Sequence, residues 1–165
     1  VGGGISRTVQ DPDMQYAEGK PGRIFLLRID RGEDLLVEIE KFSREKEIRC
    51  ATIQILGALL EGNLVTGPED PVLPPVPHFE EVTGGWDILG IASLFWGGDG
   101  PHIHLHTAMG RGKQALTGCL RERGEVYLVM EAVITEILGI DARIVHDPGT
   151  GLSLPRFGPG QSGLK

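Results

Sequence analysis

Residues 101–110 read Pro-His-Ile-His-Leu-His-Thr-Ala-Met-Gly, with His102, His104 and His106 alternating with Ile103 and Leu105. An alternation of period two fits a β-strand and not a helix, because successive strand side chains point to opposite faces. The imidazoles are then expected on one face and the apolar pair in a core on the other. Gly110-Arg111-Gly112-Lys113 follows and reads as a hairpin turn. Such a hairpin returns Cys119 alongside the histidine strand. Two imidazoles and a thiolate form a borderline-soft donor set suited to Zn²⁺, with a fourth position open to water or substrate. The alternative is the polar outer face of an edge strand, with Cys119 as a small buried apolar residue.

The rest of the chain alternates between apolar runs and Gly/Pro punctuation. Residues 23–29 (Arg-Ile-Phe-Leu-Leu-Arg-Ile) predict a first strand. Asp30 with Glu33 three residues on predicts a helix start of capping-box type, and the helix runs from about Glu33 to Lys46. Leu35, Leu36, Ile39 and Phe42 form its apolar stripe. Residues 50–60 predict a strand interrupted at Gly57, where a bend, a bulge or a close backbone approach is expected. Residues 62–65 predict a short strand of their own. Five prolines between Gly67 and Pro77 predict an extended loop. His78 after it reads as a surface strand residue or a site wall. Residues 86–96 predict a buried strand joined by a tight turn at 97–100 to the histidine strand.

Gly124 predicts a turn before a long strand over 125–137, with Val126, Leu128, Met130, Ala132 and Ile134 on one face. Glu131 shares the other face with Val129 and Val133. A buried carboxylate there needs a base, a metal or a hydroxyl as partner; an exposed one needs nothing. A last strand is expected over 141–146 and a turn over 147–151. With six to eight strands and one helix, the fold class is α/β (α+β): an antiparallel-rich mixed sheet with one main helix packed on it. Residues 23–157 form one domain between a flexible N-terminal segment, 1–22, and a flexible tail, 158–165.

Formal net charge is −7 over 165 residues. An acidic chain repels phosphate backbones unless its cations are segregated, which counts against a simple nucleic-acid binder. Arg111, Lys113, Arg121 and Arg123 are the best candidates for a basic face. No apolar run has the length of a membrane span and no signal peptide is recognisable, so the chain is expected to be soluble and cytoplasmic.

Several segments, in order, resemble the PPC (plant and prokaryote conserved) domain family across residues 23–154. These are Arg-Ile-Asp-Arg-Gly-Glu-Asp-Leu-Leu at 28–36, Trp-Asp-Ile-Leu-Gly-Ile-Ala-Ser-Leu at 86–94, and Pro-His-Ile-His-Leu-His-Thr-Ala at 101–108. Leu-Thr-Gly-Cys-Leu at 116–120, Glu-Ala-Val-Ile at 131–134 and His-Asp-Pro-Gly-Thr-Gly-Leu at 146–152 complete them. The resemblance implies a fold similar to acetolactate decarboxylase, a homotrimer, and a metal held by histidines. His104 and His106 match the family's His-x-His pair. Cys119 stands where a third His is usual, and His102 is an additional imidazole beside them.

The resemblance also implies DNA binding by extension from plant relatives, but the Arg-Gly-Arg-Pro hook those relatives use is absent from this sequence. The expected function is therefore a metal-binding PPC protein with a DNA-binding or regulatory role. The alternative is a lyase-type zinc enzyme acting on a small oxo- or hydroxy-acid, with Glu131 as its proton-transfer group.

Overall fold

A computed structural model describes residues 15–158. The elements are β1 (Lys20–Asp30), α1 (Leu35–Glu45), β2 (Cys50–Pro68), β3 (Pro77–Trp96), β4 (Pro101–Arg111), β5 (Gln114–Leu138), β6 (Ala142–Asp147) and β7 (Leu152–Phe157). The strands form one seven-stranded sheet in the order β1-β5-β2-β3-β6-β7, and β4 pairs with both β3 and β5. Antiparallel ladders join β2 to β3, β3 to β4, β4 to β5 and β5 back to β2. These four strands therefore close a ring. Trp96–Arg143, between β3 and β6, supplies the one parallel pairing among the described residues and makes the sheet mixed.

The core lies on one face, under α1. Leu35 and Ile39 of the helix are fully buried with Ile53, Leu59, Leu94, Leu105, Val126, Met130 and Ile134. Leu36 and Phe42 pack at the margin, as the stripe predicts.

The helix begins at Leu35, two residues later than the sequence suggests, and Asp30 is not its cap. Asp34 is its N-cap, accepting from the N–H groups of Leu36 and Val37 at 3.0 and 3.1 Å. Its second oxygen accepts from the Gly124 N–H at 2.8 Å, tying the helix to β5. Glu33 instead reaches back to the Asp30 N–H at 2.7 Å and closes the preceding turn.

Three predicted interruptions are bulges within longer strands. Residues 50–60 and 62–65 are both part of β2, and the ladder shifts register after Gly57, whose φ is +149°. A Cβ at Gly57 would strike the Val129 carbonyl oxygen, so the glycine permits a close backbone approach. At Gly124 there is no turn: β5 runs through, and a register shift is absorbed around Glu122 at φ +60°. Another irregularity, between Val126 and Met130, turns Leu128 out to 59% exposure although the alternation places it with the core.

Residues 86–96 are buried on one face only. Ile88, Ala92 and Leu94 point inward, whereas Leu89 and Ile91 are exposed on the face without a helix. β1 begins at Lys20, three residues earlier than expected, and β7 adds a strand the sequence reading lacks. Pro155 hides it; the strand pairs only with β6, so the missing N–H costs no ladder bond in the interior. The expected tail at 158–165 lies outside the described residues except for Gly158, as do residues 1–14 of the N-terminal segment.

Candidate metal centre

The histidine strand and its return form the predicted hairpin. β4 and β5 pair from Leu105–Leu120 to Arg111–Gln114, leaving Gly112 and Lys113 as a two-residue turn. Gly112 has φ +60° at the first central position, the requirement of a type II′ hairpin. This register sets His106 directly across from Cys119. Leu105 and Leu120, the inward neighbours, are almost wholly buried. That anchors the parity of both strands and holds the donors on the opposite face.

His104, His106 and Cys119 come together there. Their ligand atoms all lie within 4.8 Å of one another. The Nε2 atoms of His104 and His106 are 3.1 Å apart, with the rings edge to face. Tetrahedral zinc with these donors requires separations of roughly 3.3–3.6 Å, given Zn–N near 2.1 and Zn–S near 2.3 Å. The donor set fits such an ion with small side-chain adjustment. Burial first, then the neighbouring His106 and Arg121, holds the His104 imidazole below its ordinary pKa, favouring the neutral ligand form. Burial pushes the Cys119 thiol up, and Arg121 opposes that shift. A bound cation favours the thiolate further.

His102 is not part of the group. Its Nε2 lies 2.7 Å from Asp99 Oδ1, so the turn between β3 and β4 draws the ring away. Two of the three alternating imidazoles converge, not all three. Glu131 is also remote within one chain. It pairs with Arg28 and Leu56 and borders a separate shallow groove with Leu26, Val129 and Val133. It is twelve positions beyond Cys119 on β5, and the shorter way across the sheet, through His106, Ile91, Gln54 and Val133, still separates the two by on the order of 20 Å.

The donors open into a cleft of about 880 Å³, walled by Val65, Pro75, Pro77, Phe79 and Leu152. The proline-rich loop thus builds one side of the site. His78 lies on its margin, exposed, with Nδ1 2.8 Å from Glu69 and Nε2 3.3 Å from Glu80. Glu69 also donates its N–H to the Val76 carbonyl, so these contacts brace the loop against β3. Arg121 lines the cleft as well. The sequence reading places it only among four clustered cations; its position two residues after Cys119 on one strand face is the signal that assigns it to the site.

The Plants and Prokaryotes Conserved (PCC, equivalently PPC) domain profile matches residues 16–138. The chain belongs to this family. The PPC fold is shared with solved structures. A metal-containing protein from Archaeoglobus fulgidus is 28% identical, with a TM-score of 0.76 over 86% of this chain and 98% of its own. A PPC protein from Pyrococcus horikoshii gives 24% identity and a TM-score of 0.76 over 86% and 96%. A candidate DNA-binding protein from Ralstonia eutropha, 18% identical, gives 0.68 over 79% and 89%. No curated protein matches the chain. No helix among the described residues of this PPC protein is long and apolar enough to cross a membrane.

Proposed function

We propose that this PPC protein is a cytoplasmic, homotrimeric metal-binding protein in which His104, His106 and Cys119 hold Zn²⁺. The observation that carries the reading is the convergence of the three ligand atoms within 4.8 Å at the base of a cleft. The thiolate favours zinc over harder divalent ions. The name of the Archaeoglobus fulgidus relative, a metal-containing protein, supports a metal in this family. The trimer is supported by the helix-free sheet face, where Ile24, Leu26, Leu56, Leu89, Ile91 and Leu128 are each more than half exposed. Such an apolar face is unusual for a monomer.

DNA binding is the weaker reading for this chain. Of the four clustered cations, Arg123 is paired with Glu61 at 2.8 Å and Glu125 at 2.6 Å, and Arg111 donates to the Thr83 carbonyl at 3.1 Å. Arg121 faces the cleft. A second reading, a zinc-dependent enzyme, is favoured by the opening of the donors onto that cleft. Three protein ligands leave a coordination position free, and a bound zinc supplies a Lewis acid for a substrate oxygen. In that reading a proton-transfer role for Glu131 requires a neighbouring copy to bring it to the site.

Elemental analysis after exhaustive dialysis tests the metal reading, with sedimentation of the same samples for assembly. About one zinc per chain is expected in the wild type, with loss in His104→Ala and Cys119→Ser. Equal, negligible zinc in all three overturns it.

A further inference from the structure

Arg121 has no carboxylate partner among the described residues, although the chain carries 23 acidic side chains. It shares a strand face with Cys119, since Leu120 between them points into the core. It lines the same cleft as His104, His106 and Cys119. The walls around it are apolar: Val65, Pro75, Pro77, Phe79 and Leu152. A cation beside a three-ligand metal group, above an apolar wall, is a recognition pattern with two distinct ends.

We propose that the cleft binds a small organic monocarboxylate with an apolar body, its carboxylate held by Arg121 and its body laid against Phe79 and the proline loop. The proposal rests on the metal-centre reading, because the ligand's head lies between Arg121 and the ion held by His104, His106 and Cys119. The planar guanidinium fork matches a carboxylate in two parallel hydrogen bonds. A cleft of about 880 Å³ is of metabolite size. Glu122 also borders it, with Asn63 donating to its carboxylate at 3.4 Å, and that charge disfavours ligands carrying several negative charges. One unpaired arginine and an apolar wall likewise disfavour a phosphate dianion, which needs a denser set of donors.

The test is calorimetric titration of zinc-loaded protein whose metal content has first been measured. The probes are hexanoate, acetate, 1-hexanol and inorganic phosphate. Hexanoate is expected to bind at least tenfold more tightly than each of the others. Arg121→Gln is expected to retain its zinc and lose hexanoate affinity at least tenfold, with Arg121→Lys intermediate. Zinc-loaded wild type that ignores hexanoate, prefers phosphate, or binds hexanoate equally well as Arg121→Gln overturns the carboxylate proposal and leaves the metal centre standing. Wild type that takes up no zinc overturns the metal-centre reading and this proposal with it.

Discussion

His104 and His106, two residues apart on β4, bring their Nε2 atoms to 3.1 Å. Without an ion, one ring must donate to the other, so at least one of the two facing nitrogens is unprotonated. Metal capture replaces that shared proton. His104 keeps its neutral form to lower pH than a free imidazole, because burial and the neighbouring His106 and Arg121 penalise the cation. His104 is therefore expected to add no proton competition of its own as pH falls through the ordinary histidine range near 6.5. The Cys119 thiol, which burial keeps protonated, must lose its proton to bind, so zinc affinity falls about tenfold per pH unit throughout. Competition against a chromophoric chelator from pH 7.5 to 5.5 checks this. A slope that steepens beyond that one proton at or above the free-imidazole value contradicts it.

Asp34 is expected to matter more than an ordinary helix cap. One of its oxygens caps α1, and the other holds the Gly124 N–H beside the β5 bulge. Asp34→Ala removes both and is expected to cost about 1–2 kcal/mol, the upper part of the range for cap deletion. Denaturant titration measures it. A cost of only a few tenths of a kcal/mol would show that the Gly124 tie contributes nothing.

Glu136 is nearly buried and accepts three hydrogen bonds from Arg23: 3.1 Å from its backbone N–H, 2.8 Å from Nε and 2.7 Å from Nη2. The Arg23 guanidinium holds the carboxyl below the usual range against the opposing effect of burial. Its stabilising contribution is therefore complete above the unfolded value near 4.3 and is lost as pH falls through the lower folded value. Arg23→Met is expected to raise the midpoint of acid denaturation and lower the Tm at neutral pH. An unchanged acid midpoint would refute the assignment.

Gly57→Ala is expected to destabilise by about 2 kcal/mol or more, since φ is +149° and the new methyl would collide with the Val129 carbonyl. Gly112→Ala, at a turn where a Cβ meets nothing within 4 Å, carries only the positive-φ cost and is the milder comparison. Thermal unfolding of both variants distinguishes collision from backbone strain.

The sequence made the site legible because its information is local. Alternation at 102–106 set the strand, and the glycines at 110 and 112 set the turn that returns Cys119. What it could not show was long-range. Glycine marks both turns and bulges, so Gly124 read as a turn when β5 continues through it. The fate of His102 depends on Asp99, and the remoteness of Glu131 depends on β5 running unbroken past Cys119. The cleft wall comes from a proline loop whose composition says only that it is extended. Leu128 shows the same limit in miniature, because a bulge reverses the face that periodicity assigns to it.

The two-residue turn at Gly112 and Lys113 has a consequence for how this chain can vary. Inserting one residue there would exchange the faces of everything after it on β5 relative to β4. With the two-residue turn kept and the extra residue drawn into the ladder, Gly118 would face His106, Cys119 would turn into the core opposite Leu105, and no side chain would have been substituted. Adding two residues would keep the face but move the thiol one full pleat along the strand. An insertion that is harmless in most surface hairpins is therefore expected to break the coordination geometry here, with every donor residue still present in the sequence.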